Sequence, residues 1–171
     1  MTDHASFLDQ DGRPSVRLRR HYPYPVARVW AAVTEPDELQ HWFPSRVSYD
    51  ATPGGEIRFS GDPNVADVAG TVLAFDPPHY FAFTWGENEV HLRLEAAGPD
   101  QCVLELTDVL PERDEAARNG AGWHVCLDEL AKRLNGDASG GPHGESATPW
   151  QPIYEAYVAA GIPSGALIPT P

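Results

Sequence analysis

Asp108 and His124 are the titratable residues that the sequence places on inward positions, where acid–base chemistry is conceivable. Asp108 extends a strand face on which apolar and polar residues alternate, after Cys102, Leu104 and Leu106. His124 lies about 60° from the centre of the apolar stripe of a predicted helix. An acid and an imidazole that met at a pocket mouth could serve as a general acid–base pair. The alternative is a polar strand end and a histidine at a helix boundary.

Metal, covalent and nucleotide chemistry have little support in the sequence. Among the histidines, only His124 and Cys126 approach a ligand spacing, and they point to different sides of a helix. Cys102 and Cys126 are too far apart in sequence for a redox pair, which predicts two buried free thiols. Lys132 lies on the solvated face of a helix, which argues against a Schiff-base lysine. The glycine-rich turns lack the context of a phosphate loop, so we predict neither a metal nor a cofactor.

Aromatic residues on the predicted concave face indicate a binding site for a small apolar molecule. We expect a pocket between the sheet and the amino-terminal half of a long helix, lined by Phe59, Phe81, Phe83, Trp85, Leu92, Gly120 and Trp123. Gly120 and Gly122 favour the pocket, because small residues leave space beneath Trp123. Large aromatic side chains also close packing gaps well, so a filled core is the alternative.

Hydrophobic periodicity predicts the elements that would position these side chains. Residues 15–22 form a first strand, and two short amphipathic helices follow, the second ending at Pro44. Between residues 46 and 110 the period is two, and five turns delimit six strands. Residues 111–135 then predict a long helix that covers the apolar face of the sheet and is closed by Gly136.

Two features of the sequence concern the side of the long helix that faces away from the sheet. Asp128, Glu129, Lys132 and Arg133 are predicted to face solvent. Val125 is also predicted to point outward, and an outward valine in a good helix indicates that something packs against it.

The sequence predicts four segments. Residues 1–14 are polar and aperiodic, which predicts a disordered amino terminus, and residues 15–136 form the main domain. Residues 137–147 have linker composition, and residues 148–171 form a tail with an amphipathic helix and an extended end. The apolar stripe of this tail must be covered, and it comprises Trp150, Ile153, Tyr154, Tyr157 and Val158. We expect it to pack on the body, with exchange across a two-fold homodimer as the alternative.

Composition excludes several classes of protein. The chain has 171 residues, enough for one core, and 25 acidic against 12 basic residues give a formal net charge of −13. This charge repels phosphate backbones and anionic lipids, which argues against a nucleic-acid partner. No stretch approaches the roughly 20 apolar residues of a membrane span, and residues 1–20 contain no apolar signal core. We therefore expect a cytoplasmic protein without membrane insertion.

The order of elements is that of the α+β helix-grip fold, and five sequence segments indicate a particular family within this fold. They are RRHYPYPVARVWAAVTEPDELQHWF, PGGEIRF, GTVLAFDPP, FAFTW and GWHVCLDEL. Over residues 15–135 the chain resembles the family of homologues of the heat-shock-protein-90 ATPase activator, in the START-like, polyketide-cyclase-like (SRPBCC) superfamily. The resemblance implies a curved seven-stranded antiparallel sheet around a long carboxy-terminal helix, with two short helices after the first strand. Superfamily members commonly hold lipids, sterols, polyketides or other apolar ligands between sheet and helix, which implies a cavity but no catalytic set.

Three classes of function are compatible with these patterns. The favoured hypothesis is the binding of a small apolar ligand, without catalysis, in a cavity between the sheet and the carboxy-terminal helix. The alternatives are a protein-interaction or chaperone-assisting module and a cyclase-, dehydratase- or hydrolase-like enzyme acting in the same cavity. A closed apolar cavity would favour binding, and a filled core with a large exposed apolar patch would favour protein interaction. Convergent polar groups around a perturbed acid would favour an enzyme.

Overall fold

Eight antiparallel strands form one sheet in the computed structural model, which describes residues 5–169. The strands are β1 (Ala5–Gln10), β2 (Arg13–Tyr22), β3 (Arg46–Tyr49), β4 (Glu56–Ser60), β5 (Val68–Asp76), β6 (Tyr80–Trp85), β7 (Asn88–Ala96) and β8 (Cys102–Val109). Their spatial order is β1-β2-β8-β7-β6-β5-β4-β3, so β1 and β3 are the two edges of an open sheet.

Four α-helices accompany the sheet within residues 5–169. Two short ones, α1 (Val26–Thr34) and α2 (Pro36–Leu39), lie between β2 and β3. The long helix α3 (Ala116–Leu134) follows β8, and α4 (Trp150–Ala159) lies in the tail. This architecture confirms the predicted α+β helix-grip fold, with its curved sheet around a long carboxy-terminal helix. None of the helices within residues 5–169 has the length and apolar character that crossing a membrane requires.

The sheet has eight strands where seven were predicted, because β1 precedes the first expected strand. Asp11 and Gly12 both have positive φ, 55° and 77°, and they join β1 to β2 in a two-residue hairpin. Asp-Gly is one of the strongest short-range hairpin signals, because a type I′ turn requires positive φ at both central residues. Residues 5–14 are therefore ordered, against the expectation of disorder over 1–14, and residues 1–4 lie outside the described range.

Apolar residues of neighbouring strands are in register on the concave face. Phe81 of β6 pairs with Leu92 of β7, which pairs with Leu106 of β8, and each is at most 1% exposed. Leu127 and Leu130 of α3 belong to the same buried cluster. Full burial of such a side chain stabilises the fold by about 1.5–3 kcal/mol, so α3 and the sheet depend on each other.

The long helix begins later than predicted. Residues 113–115 form a single 3-10 turn before Ala116, and Glu112 and Glu115 form a reciprocal capping box across this turn. The helix ends at Leu134, and Gly136 has the positive φ of 82° that was expected after its end.

The linker folds onto α3, which explains why Glu129 is buried and not solvated as predicted. Glu129 is fully buried, and its carboxylate accepts hydrogen bonds from Lys132 Nζ at 2.8 Å and Ser139 Oγ at 2.7 Å. Ser139 Oγ also lies 2.6 Å from the carbonyl oxygen of His41. A buried carboxylate is tolerated when donors satisfy it, and here one of the two donors comes from the linker.

The tail also packs on α3, on the side where Val125 was predicted to point outward. Thr148 Oγ1 donates to Asp128 Oδ2 at 2.8 Å, and Trp150 Nε1 donates to the carbonyl oxygen of Arg118 at 3.3 Å. These contacts lie on the Val125 side of the helix, and Val125 is 3% exposed. Helix α4 contributes Tyr157, which is buried against α3.

Candidate functional site

A cavity of about 730 Å³ opens between the sheet and the amino-terminal half of α3. Its floor includes Trp85, Asn88 and Asp108 of the sheet, and Asn119, Gly122 and Trp123 of α3 form one wall. Its rim comes from the segment before β5, the linker and the tail, through Asp62, Asn64, Val65, Pro142, His143, Trp150, Ile168 and Pro169. The sheet and helix build the base, and the irregular segments shape the mouth.

Asp108 reaches this cavity because it is the last inward residue of β8. It pairs with Val16 of β2 and Val90 of β7, and its side chain points to the concave face. Only 2% of the residue is exposed. The alternation of β8 therefore carries a carboxyl group to the end of the apolar core, where the cavity begins.

Three side chains donate hydrogen bonds to the Asp108 carboxyl group. Asn88 Nδ2 donates to Oδ1 at 2.9 Å. Asn119 Nδ2 and Trp123 Nε1 donate to Oδ2 at 3.2 Å and 3.0 Å. Asn119 and Trp123 are four residues apart and share one face of α3, so the helix aims two donors at one oxygen.

Burial raises the pKa of Asp108 from the ordinary 3.8 to about 6. The donors Asn88, Trp123 and Asn119 oppose this rise by stabilising the carboxylate, and the negative charge of Glu115 adds to it. Burial dominates because removing a carboxylate from water costs more than three neutral donors restore. The side chain can therefore take up or release a proton close to neutral pH.

Aromatic rings close the cavity on the core side. The ring centroids of Trp85 and Trp123 are 5.7 Å apart, at an interplanar angle of 63°. Phe43, which follows α2, lies 5.2 Å from Trp85 and 5.5 Å from Trp123. Phe59 packs on Phe43 at 5.9 Å and is almost fully buried. These aromatic side chains thus form a filled core, and Trp85 and Trp123 are the members of it that line the cavity.

The predicted lining residues divide between the cavity and the core. Trp85 and Trp123 line the cavity, whereas the core takes up Phe59, Phe81, Phe83 and Leu92, all at most 2% exposed. Gly120 faces elsewhere: a Cβ placed on it would lie 3.1 Å from Val16 Cγ2 and 3.5 Å from the Tyr157 ring. Gly122 lines the cavity instead, and a Cβ there would meet no heavy atom within 4 Å.

His124 does not pair with Asp108, contrary to the acid–base hypothesis. Its Nδ1 lies 2.5 Å from the hydroxyl oxygen of Tyr157, and its Nε2 lies 3.8 Å from Asp128 Oδ2. The imidazole therefore serves the contact between α3 and α4.

The partners of Asp108 are instead the amides of Asn88 and Asn119, neither of which was predicted as a site residue. Both have a signal in the sequence. Asn88 begins the inward alternation of Val90 and Leu92, and Asn119 lies one helical turn before Trp123.

Burial raises the pKa of both cysteine thiols, which disfavours nucleophilic chemistry by either of them. Both cysteines are buried free thiols, and Cys126 lines the cavity. Burial raises the pKa of Cys126 far above its ordinary value, with the charge of Asp62 adding to the rise, so the nucleophilic thiolate is disfavoured. Among residues 5–169, no three His, Cys, Asp or Glu side chains lie close enough together to hold a metal ion.

A family comparison identifies the domain that carries the cavity. The family model described as Activator of Hsp90 ATPase homolog 1-like protein matches residues 23–135, well over half of the chain. The chain belongs to this family. The matched segment supplies Trp85, Asp108 and Trp123 of the cavity, while Trp150 and Ile168 at the rim lie beyond it. The chain matches no curated protein.

Solved structures share the fold of this family member. The conserved protein of unknown function EF2215 from Enterococcus faecalis is 21% identical, with a TM-score of 0.74 over 91% of this chain and 89% of that protein. CalU16 from Micromonospora echinospora is 26% identical, with a TM-score of 0.68 over 91% of this chain and 94% of CalU16. DynU16, from the dynemicin biosynthetic locus, is 28% identical, with a TM-score of 0.63 over 71% of this chain and 47% of DynU16.

Proposed function

We propose that this protein binds a small, largely apolar molecule in the cavity between β6–β8 and α3. The observation that carries the proposal is the cavity of about 730 Å³, which ends on the rings of Trp85 and Trp123. Ligand sites are typically clefts of this size with apolar walls and a few placed polar groups. Asn88, Asp108 and Asn119 are such a group, because they converge at one end of the cavity.

One structural relative supports a small organic ligand. DynU16 belongs to a biosynthetic locus, and it is among the relatives above 25% identity. Two of the five exposed large apolar residues within residues 5–169 also lie at the cavity. Val65 and Ile168, 47% and 41% exposed, lie on its rim, where an entering apolar molecule would touch them.

Substitution of Gly122 tests the proposal directly. Gly122→Leu places an isobutyl group in the open space of the cavity, and leucine also favours the helix more than glycine by about 0.8 kcal/mol. We expect the variant to fold and to bind Nile red, a neutral apolar dye, at least about tenfold more weakly than the wild type. The measurement is the rise of dye fluorescence during a titration with protein.

Ala131→Leu is the matched control, because Ala131 lies on an exposed part of the same helix. It should bind the dye like the wild type. Equal binding by wild type, Gly122→Leu and Ala131→Leu would place the dye outside the cavity and contradict the proposal.

A second candidate function is acid–base catalysis in the same cavity, and the surroundings of Asp108 favour it. A buried acid with a pKa of about 6 among convergent amides is the arrangement expected of an enzyme. Native mass spectrometry of freshly purified protein would identify a retained molecule, and fresh protein would then be incubated with it. A binding protein returns the molecule unchanged. Conversion by the wild type but not by Asp108→Asn would indicate an enzyme.

A further inference from the structure

Acidic residues outnumber basic ones in the wall of the cavity. Four carboxyl groups line it, those of Asp62, Glu87, Asp108 and Glu115. The basic residues of the wall are Arg118 and, at the rim, His143. Partly enclosed clefts with low-dielectric walls strengthen the local potential, so this excess of negative charge acts on any ligand that enters.

Three of the five N–H donors of Arg118, and its charge, are already engaged within the protein. Its Nη1 donates to the carbonyl oxygen of Leu167 at 2.9 Å, and its Nη2 contacts Glu115 Oε1 at 2.5 Å. Its Nε donates to Asn119 Oδ1 at 2.9 Å. All three nitrogens are thus engaged by the protein, and the charge of the guanidinium is paired with Glu115.

The buried Asp108 retains unused capacity as an acceptor. Each carboxylate oxygen can accept two hydrogen bonds. Oδ2 receives two, from Asn119 and Trp123, whereas within residues 5–169 Oδ1 receives one, from Asn88. A donor on a ligand can therefore make the fourth hydrogen bond to the carboxylate. Within residues 5–169 no other donor occupies this second acceptor position of Oδ1.

We propose that the ligand of this cavity is an apolar amine, whose protonated nitrogen donates to Asp108 Oδ1 while its apolar part lies against Trp85 and Trp123. The inference rests on the proposed function, and it adds the chemical class of the ligand. An ammonium group is attracted by the acidic wall, and the faces of tryptophan rings also favour cations. An anionic ligand of the same shape would meet the carboxyl groups of Asp62, Glu87 and Asp108, while Glu115 and Arg118 compensate each other.

The proposal implies that amine binding depends on pH through Asp108. An ammonium favours the ionised carboxylate, so affinity should rise as Asp108 loses its proton. The charged groups that face Asp108 across the cavity are Glu115 and Arg118 beside the cavity wall, Glu87 of the turn before β7, and Asp62 and His143 at the rim. Because these other ionisable groups line the same cavity, the variant Asp108→Asn is needed to assign the effect to Asp108.

Four probes with one ring system test the class of ligand. They are 1-naphthylmethylamine, 1-naphthalenemethanol, 1-naphthoic acid and 1-methylnaphthalene, each used to displace Nile red from the wild-type protein. At about pH 7.5 we expect the amine to bind at least about tenfold more tightly than the alcohol and the acid to bind most weakly, because charged hydrogen bonds are stronger than neutral ones. The advantage of the amine should shrink at about pH 5, below the pKa of Asp108.

Asp108→Asn should remove most of the advantage of the amine and its pH dependence, and leave the binding of 1-methylnaphthalene within about twofold. The new amide can keep its oxygen toward Asn119 and Trp123, and Asn88 can rotate its own amide to accept from the new NH2 group. Asp100→Asn, in the exposed turn before β8, makes the same change of net charge and should behave like the wild type.

Two kinds of outcome separate the amine proposal from the proposed function. If 1-methylnaphthalene binds but the amine has no advantage over the alcohol, or Asp108→Asn weakens all four probes equally, the amine proposal is wrong and the cavity remains a binding site. If no probe displaces the dye from the wild type, both are wrong. The advantage of the amine over the alcohol on the wild type keeps the test decisive even if Asp108→Asn fails to fold.

Discussion

Asp108 illustrates at the scale of one residue how a fold alters the chemistry of a side chain. The strand pattern of β8 requires an inward residue at this position, and every earlier inward residue of the strand is apolar. The carboxyl group is therefore buried, and three neutral donors stabilise it without restoring its ordinary pKa. In the folded protein without a ligand, Asp108 is therefore mostly protonated at mildly acidic pH.

This raised pKa predicts that the wild type loses stability as pH rises. The native pKa of about 6 exceeds the unfolded value of 3.8, so the folded state binds more protons than the unfolded state between these values. The contribution is complete below about pH 4 and is lost as pH rises through about 6, a difference of about 3 kcal/mol in the free energy of unfolding.

Asp108→Asn should lack this loss, because its amide does not titrate. Urea unfolding of both proteins at intervals between about pH 4 and pH 8 measures the difference. Relative to the variant, the wild type should become less stable across this window, while Asp100→Asn should follow the wild type. Parallel profiles for wild type and Asp108→Asn would mean that Asp108 titrates normally in the folded protein.

At the scale of elements, α4 shows how a short helix becomes stable through docking. A helix of ten residues is marginal alone in water. Here Tyr157 is 2% exposed, and its hydroxyl group bonds to His124 of α3. Gly120 makes the approach possible, because its missing side chain leaves room for the Tyr157 ring beside Val16. Three elements, β2, α3 and α4, thus meet at one glycine.

Tyr157→Ala should lower the free energy of unfolding by about 3 kcal/mol, since truncating a buried aromatic side chain leaves a cavity. Val158→Ala is the control on the same helix, and with Val158 39% exposed we expect a loss below about 1 kcal/mol. Denaturant unfolding compares the three proteins. Equal losses in the two variants would show that α4 does not dock through Tyr157.

At the scale of the whole molecule, the tail joins the body through backbone as well as side chains. The backbone nitrogen of Ala117 donates to the carbonyl oxygen of Pro163 at 2.9 Å, and that of Ala166 donates to the carbonyl oxygen of Asp114 at 3.3 Å. Ile168 then reaches the rim of the cavity. A single chain buries Tyr157 and half-buries Trp150, Ile153 and Tyr154 of its own tail, so docking of the tail does not require its exchange between two chains.

We therefore expect a monomer of about 18.7 kDa by light scattering. Deleting residues 148–171 should leave the mass monomeric and lower the stability, because α4 no longer covers α3. A wild-type dimer that becomes a monomer on deletion would establish exchange of tails. Unchanged stability together with an unchanged oligomeric state would show that the tail docks nowhere of consequence.

Much of the fold and part of the site were predictable from local patterns. Alternation of apolar residues located the six strands between residues 46 and 110, and helical spacing located α3 and the tail helix. The same alternation placed Asp108 on the inner face. The Asp11-Gly12 turn carried an equally local signal for β1, which polar composition obscured.

The sequence by itself determined the order of elements, the inner face of each strand and the presence of an acid among inward residues, because these depend on neighbours two to four positions apart. The tertiary structure decided which inward residues meet. It assigned Phe59 to the core and Trp85 to the cavity, and it gave Asp108 two asparagines as partners and His124 a tyrosine. These pairings join residues 11 to 33 positions apart, and only the packing of α3 on the sheet and of α4 on α3 brings them within contact distance.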